Sequence, residues 1–121
     1  MERLYQAYKD RVEFLLVYIR EAHPDSELYT AQGGEEKLLT IAQTDTLEER
    51  IDVAQLCVNT LRISCPTVID RSDNAANVAY AGWPDRFVVV DVDGRIGYIG
   101  EQGPKGFKPE EVEQWLKQNV Q

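Results

Sequence analysis

The stretch that decides the fold runs from Phe14 to His23 and reads FLLVYIREAH. Its first six residues are all apolar or aromatic, and the segment then turns polar. A short unbroken apolar run is typical of a strand buried on both faces in a parallel sheet, although a buried helical segment can show the same pattern. The β-branched Val17 and Ile19 and the aromatic Tyr18 favour the strand.

The polar residues that follow this strand are candidates for chemistry, because ligands gather beyond the carboxyl ends of strands in open α/β sheets. Glu21 and His23 are two positions apart, so in an extended chain they point to the same side. His23 is the only histidine of the chain. The pair predicts either a functional acid–imidazole site or a strand exit that is merely hydrophilic, and the spacing leaves both interpretations open.

The composition limits the classes of function. A chain of 121 residues is long enough for one hydrophobic core, and we expect a single domain over residues 1–121. The net charge of −8 argues against binding to nucleic acid or to an anionic membrane surface. No apolar run approaches membrane-spanning length. Cys57 and Cys65 are too few for a secreted disulfide scaffold, so we expect a cytoplasmic protein.

The rest of the chain predicts alternating helices and strands. Met1–Asp10 has helical spacing but begins without a capping residue. The polar, glycine-containing Pro24–Glu36 predicts a long loop. Thr46, with Glu49 three residues later, predicts a capping box that opens a helix. The next predicted elements are a strand at Pro66–Asp70 and a short helix at Asp73–Tyr80. A strand at Phe87–Val90, its hairpin partner at Arg95–Ile99 and a closing helix from Pro109 onward complete the chain.

This order predicts an α/β fold, a thioredoxin-like mixed sheet with helices on both faces. Pro84 ends a turn before an apolar strand, and Asp93-Gly94 then predicts a hairpin. In thioredoxin-like proteins the same succession follows the active-site proline, which is usually cis. Pro66, after Cys65, is a rival for this role, and a trans proline that only begins a strand is the simpler alternative. Pro84 is preferred because the Asp-Gly hairpin follows its strand.

Over nearly its whole length the chain resembles the iodothyronine deiodinase family, a branch of the thioredoxin-like fold. The resemblance is carried by the first strand with Glu21–Pro24, by Thr46–Arg50, by Asp73–Ala81 and by the loop Tyr98–Phe107. It implies reductive dehalogenation, in which a selenocysteine or cysteine attacks an iodine on an aromatic ring and external thiols regenerate it without a bound cofactor. It also implies that Glu21 and His23 belong to a proton relay, a task that a carboxylate-held imidazole can perform near neutral pH.

Two positions depart from the family pattern. The family holds the charged end of thyroid hormone with a histidine before the Leu-Glu helix and an arginine in the final Gly-Pro loop, whereas this chain has Thr44 and Gln102. Neither can hold a carboxylate as an ionised partner does. The resemblance implies substrate-binding positions at Thr44 and Gln102 and, beside the proline, at Trp83. It makes thyroid hormone a doubtful substrate and a smaller haloaromatic, a peroxide or a disulfide equally suitable.

The resemblance further implies that the family's first strand and its nucleophile precede position 1, so that this domain is N-terminally truncated. A selenocysteine codon read as a stop codon is one explanation, and a deliberate truncation or a true noncatalytic relative is the other. Open apolar strand edges would then predict a homo-oligomer. Cys65 beside Pro66 is the remaining redox candidate, whereas Cys57 is predicted to be a buried hydrophobic residue. No metal site is predicted, because one histidine and no CxxC motif are present.

Three functions therefore stay open. The first is a deiodinase-like oxidoreductase whose nucleophile lies outside this chain, which would be inactive by itself. The second is a peroxiredoxin-like thiol peroxidase, which shares the Pro84–Gly94 pattern but does not require Glu21 and His23. The third is a noncatalytic thioredoxin-like binding module. The expected partners of the first are a small-molecule substrate and a thiol reductant.

Overall fold

The computed structural model describes residues 1–22, 24–32 and 35–121, with the backbone alone for 26–32 and 35–40. His23 therefore lies outside the described residues. The helices of the described ranges are α1 (Glu2–Tyr8), α2 (Leu47–Leu61), α3 (Ala75–Tyr80) and α4 (Pro109–Asn119). The strands are β1 (Leu16–Tyr18), β2 (Ser26–Gln32), β3 (Glu35–Ile41), β4 (Thr67–Ile69), β5 (Val88–Val90) and β6 (Ile96–Ile99).

The strands pair two by two within the described residues. β1 runs parallel to β4, with Val17 opposite Val68, while β2–β3 and β5–β6 are antiparallel. The mixed α/β class predicted from the sequence is confirmed. No ladder joins β1 to β5 in the described part of the chain.

The prediction that the first strand is buried on both faces was wrong. Leu16 and Tyr18 are half-buried, but Val17 between them is 37% exposed. Its partner Val68 on β4 is 43% exposed, so one face of the β1–β4 pair is open. Continuous hydrophobicity correctly located the strand, but hydrophobicity alone could not show that no described element covers this face.

The long loop predicted over Pro24–Glu36 was also wrong. That region contains most of a β-hairpin, in which Ser26 of β2 lies opposite Ile41 of β3 and Gln32 opposite Glu35. The sequence carried a turn signal in Gly33-Gly34, a dipeptide that favours two-residue hairpin connections. The polar composition was given more weight than that signal.

Helix α2 begins as predicted. The Glu49 amide donates to the Thr46 hydroxyl at 3.2 Å, and the Thr46 amide donates back to the Glu49 carboxylate at 3.2 Å. The Asp45 amide also donates to this carboxylate, at 2.9 Å. The Asp45 amide has the larger effect on the pKa of Glu49 and the Thr46 amide the next. Both lower this pKa, because they stabilise the ionised carboxylate. The capping box thus fixes the direction in which α2 leaves the hairpin.

The largest apolar cluster lies between α1, α4 and the β5–β6 pair. Its buried members are Leu4, Tyr8, Val112 and Leu116. Trp115 packs beside them, next to Gly97 of β6, where an added Cβ would come within 2.6 Å of the indole. A side chain at position 97 would therefore have to displace the Trp115 indole.

The start of α1 is tied to the connection between α2 and β4. The Glu2 carboxylate accepts a hydrogen bond from the Ser64 amide at 3.0 Å and another from the Ser64 hydroxyl. Gln6 donates to the same carboxylate at 2.7 Å. Hydrogen bonds from Gln6 and then Ser64 lower the pKa of Glu2 to about 2.

Candidate functional site

A cleft of about 210 Å³ runs along β1 and its exit and reaches the turn before β5. Its walls are the segment Leu16–Ala22 on one side and Pro84 on the other. The exit of β1 also meets that turn directly, since a Cβ on Gly82 would lie 3.8 Å from Cδ1 of Ile19. The structure therefore brings together the strand exit and the proline turn, which the sequence analysis singled out separately.

Glu21 is held in this cleft from two sides. The Tyr18 hydroxyl donates a hydrogen bond to its carboxylate Oε1. Its backbone is bracketed by Gln43, whose Oε1 accepts from the Glu21 amide at 3.3 Å and whose Nε2 donates to the Glu21 carbonyl at 3.4 Å. Tyr18 was not among the predicted site residues. Its position three residues before Glu21, at the last residue of the strand, was the available signal.

Pro84 follows a cis peptide bond from Trp83. A second cis bond, Gly103–Pro104, lies in the loop before α4 and was not foreseen. Pro66, the rival considered above, does not follow either of these cis bonds. It lies just before β4 and does not line the cleft.

The indole of Trp83 lies at the rim of the cleft and is covered by a cation. The Arg20 guanidinium carbon is 5.3 Å from the centroid of the Trp83 ring, a distance typical of a cation–π contact. Arg20 also lines the cleft. Trp83 was recognisable from its place beside the proline, whereas Arg20 was not, because a basic residue after a strand resembles any solvated side chain.

Gln102 lies across the same turn. Its amide Nε2 donates to the Ala81 carbonyl at 3.0 Å and to the Trp83 carbonyl at 2.7 Å. Both carbonyls flank the turn that leads into Pro84. The side-chain N–H groups at this predicted substrate-binding position therefore point to the protein backbone.

Thr44 is the third predicted substrate-binding position, after Trp83 and Gln102. It is half-buried and lies two residues before the Thr46 cap of α2. It is not one of the residues that line the described cleft. Its neighbour Gln43 makes the contact with Glu21 instead.

Neither cysteine has the surroundings of an activated thiol. Cys65 is buried, and burial is the main reason that its pKa is raised. Cys57 is half-buried on α2, and burial followed by the charge of Glu21 raises its pKa. A thiol in such surroundings stays protonated at neutral pH and is a poor nucleophile.

A buried polar cluster behind the cleft was missed by the sequence analysis. Arg50 on α2 is 5% exposed and donates to the carbonyls of Asp70 at 3.1 Å and Arg71 at 2.8 Å. Asp70 is 3% exposed, and its carboxylate accepts from the amides of Arg71, Ala76 and Asn77, each at 2.9 Å.

This cluster connects to the site through the backbone, because the Asp70 amide donates to the Tyr18 carbonyl at 2.8 Å. The available signal was an aspartate that directly follows an apolar strand pattern and precedes a short helix. Such a residue can cap exposed backbone N–H groups.

No three His, Cys, Asp or Glu side chains in the described ranges are grouped closely enough to hold a metal ion. No helix in those ranges is long and apolar enough to cross a bilayer.

Comparison with known proteins decides the family. The model of the iodothyronine deiodinase family matches residues 1–120. This chain belongs to the iodothyronine deiodinase family. The resemblance stated from the sequence is thereby confirmed, and with it the thioredoxin-like class of the fold.

Individual relatives agree with this assignment. Thyroxine 5-deiodinase of Gallus gallus is 34% identical over 116 residues, which are 96% of this chain and 43% of the relative. Thyroxine 5-deiodinase of Aquarana catesbeiana is 37% identical over 118 residues, 97% of this chain and 41% of the relative. Type II iodothyronine deiodinase of Homo sapiens is 33% identical over 119 residues, 97% of this chain and 43% of the relative. The chain thus spans less than half the length of each of these deiodinases.

Proposed function

We propose that this chain supplies the substrate cleft and the proton relay of a reductive dehalogenase that acts on an iodinated aromatic ring. The observation that carries the proposal is the placement of Glu21, held by Tyr18, in one cleft with Pro84. Membership of the deiodinase family supports the reaction class.

The proposed reaction balances with thiols as the reductant. A selenolate or thiolate attacks the iodine, the carbon–iodine bond breaks, and its electron pair stays on the ring carbon, which takes up a proton. The resulting selenium– or sulfur–iodine bond is reduced by two external thiols, which end as a disulfide and release iodide. The protein must therefore provide a nucleophile, a proton and a place for the ring.

The proton is assigned to the Glu21 site. Tyr18 donates to the Glu21 carboxylate at the rim of the cleft, so a proton on either group has a path toward a ring bound there. The predicted relay also includes His23, which lies outside the described residues. A histidine two positions from this carboxylate would replenish the proton from solvent near neutral pH.

The nucleophile is assigned to a selenol or thiol outside this chain. Cys57 and Cys65 both have a raised pKa, and neither lines the cleft. We therefore expect no dehalogenase turnover from residues 1–121 alone. Cys65, the redox candidate named from the sequence, is expected to contribute nothing to turnover.

The proposed substrate is smaller than the hormones after which the relatives are named. Thr44 and Gln102 offer no charge for a hormone carboxylate, and the Gln102 amide donors are already engaged with the Ala81 and Trp83 carbonyls. A single-ring iodoaromatic needs neither position.

The open face of β1–β4 supports a further part of the proposal, self-association. Val17 and Val68 are exposed on adjacent strands, and burial of such apolar strand surface favours association. We propose a homo-oligomer located in the cytoplasm. A monomer in sedimentation at micromolar concentration would contradict the first statement, and cell fractionation tests the second.

The decisive experiment uses the protein translated from the complete reading frame, including any segment that precedes Met1. Iodide release from 4-iodophenol is measured with dithiothreitol as the thiol. Glu21→Gln and Tyr18→Phe should each lower kcat by about a hundredfold, the usual contribution of a positioned proton donor. The matched control Glu110→Gln changes an exposed acid of α4 and should have no effect.

The outcomes separate the alternatives. A full-length protein that releases no iodide would refute the dehalogenase. Hydrogen peroxide reduction that survives Glu21→Gln and His23→Gln would favour the peroxidase, and inertness toward both substrates would favour a noncatalytic module.

A further inference from the structure

Arg20 is an exposed cation fixed at the rim of the cleft. Its guanidinium lies over the Trp83 ring at 5.3 Å from the centroid. Among the described residues, no carboxylate forms an ion pair with it. A cation that forms no ion pair with the described carboxylates is notable in a chain whose net charge is −8.

The contact with the indole leaves the N–H donors of Arg20 available, because no described residue accepts a hydrogen bond from them. A guanidinium stacks through its flat face, whereas its five N–H donors point outward in the plane. No hydrogen bond from Arg20 to a described residue accompanies the stacking. The forked edge suits the two oxygens of a carboxylate, which it binds in a bidentate manner.

The cleft beside this edge has the size and lining for one aromatic ring. Its walls include the apolar side chains of Leu16, Val17, Ile19 and Pro84. Its volume is about 210 Å³. A cavity of roughly 150 Å³ accommodates benzene, so a second ring would have to extend into solvent.

We propose that Arg20 is a specificity-determining residue that binds the carboxylate of a single-ring aromatic acid, with the ring lying along β1 toward Pro84. The inference rests on the proposed function, because it names the substrate class of the same cleft. The neighbouring Glu21 carboxylate is engaged by Tyr18 and adds negative charge to the rim, so a monoanion should be preferred over a dianion.

Binding can be measured on this chain without any nucleophile. The chain has two tryptophans, and Trp115→Phe leaves Trp83 as the single indole. In that background we titrate 4-iodobenzoate and the neutral 4-iodobenzamide and follow fluorescence, which the iodine should quench when the ring lies near Trp83. The benzoate should bind about tenfold more tightly than the amide, as expected for one charge-assisted pair.

Matched arginine variants locate the effect. Arg20→Gln should remove the preference for the acid, lowering affinity for benzoate about tenfold and leaving the amide unchanged. Arg20→Lys should keep part of the preference, since it retains the charge but not the fork. Arg11→Gln is the control, because Arg11 also lies over a ring, 4.8 Å from the centroid of Tyr8, but away from the cleft.

Equal affinity for acid and amide, or an unchanged preference in Arg20→Gln, would overturn the proposal. Should Trp115→Phe fail to fold, the indole N–H resonance of Trp83 in the unmodified chain gives the same comparison by NMR. Acid binding that persists when the complete protein releases no iodide would refute the dehalogenase but not this site. Iodide release without a preference for acids would refute the Arg20 site but not the dehalogenase.

Discussion

Two parts of the molecule are held together by different interactions. The core half (α1, α4, β5 and β6) closes around buried apolar side chains such as Leu4 and Leu116. The cleft half (β1, β4, α2 and α3) contains the buried charged residues of the described chain, Arg50 and Asp70. One half is stabilised mainly by burial of apolar surface, and the other depends on hydrogen bonds that position a site.

The difference shows where substitutions should act. Loss of apolar contact in the core half should reduce stability without altering the geometry of the cleft. Loss of a buried hydrogen bond in the cleft half should affect both stability and ligand binding. The following substitutions test that separation, from the largest expected effect to the smallest.

Leu116→Ala should be the most destabilising. Leu116 is 1% exposed, and its truncation leaves a cavity, so we expect a loss of about 4 kcal/mol in the free energy of unfolding. Urea denaturation measures it. Leu61→Ala is the control, because Leu61 is 63% exposed and should change stability by less than about 0.5 kcal/mol. At a urea concentration where Leu116→Ala remains folded, a shifted Trp83 resonance would show that the two halves are not separate.

Asp70→Ala tests the cleft half. It removes the acceptor of three backbone N–H groups, and leaving them unsatisfied should cost about 3 kcal/mol. The backbone amide of residue 70 remains and donates to the Tyr18 carbonyl, so a displacement of this segment after loss of the carboxylate should also shift the Trp83 and Tyr18 resonances. Asp52→Ala, an exposed acid on α2, should change stability by less than about 0.5 kcal/mol. Equal effects of the two substitutions would remove the distinction between the halves.

Gln102→Glu changes one side-chain nitrogen to oxygen. Both hydrogen bonds to the turn are lost and a carboxylate faces two carbonyls, so we expect a loss of about 2 kcal/mol by thermal or urea unfolding. Gln114→Glu on the exposed side of α4 is chemically identical and should be nearly neutral. A neutral Gln102→Glu would mean that the turn before Pro84 does not depend on this amide.

Glu2 gives the smallest effect, and it joins the two halves. Its folded pKa of about 2 lies below the ordinary value of 4.5, so the ionised form is the one that folding favours. The stabilisation from Glu2 should be complete above pH 4.5 and should disappear as the pH falls toward 2. Carboxyl NMR titration should show Ser64→Ala raising the Glu2 pKa, whereas Ser72→Ala, in a different turn, should leave it unchanged.

Local patterns in the sequence predicted local structure well. The capping box at Thr46, the Asp93-Gly94 hairpin and the strand around Val17 need only their neighbours in the chain, and the structure has all three. The exposure of Val17 could not be predicted, because it depends on whether a distant element covers that face. The hairpin β2–β3 was predictable from Gly33-Gly34 and was outweighed by polarity.

The site was predicted in part for the same reason. Glu21 and Pro84 were named from motifs and share one cleft. Arg20 was missed because its partner Trp83 lies far along the chain. Tyr18 and Asp70 have partners close in sequence, but only the folded geometry shows which groups they bind. An exposed arginine is not distinctive in sequence until a ring is found beneath it.

Gly97 has a consequence for the way α4 docks. Its missing side chain leaves the space that the Trp115 indole occupies against β6. The surfaces of the strand and the helix are therefore complementary at this contact. A methyl group at position 97 would first have to displace this indole, which is an apolar contact and not a polar one.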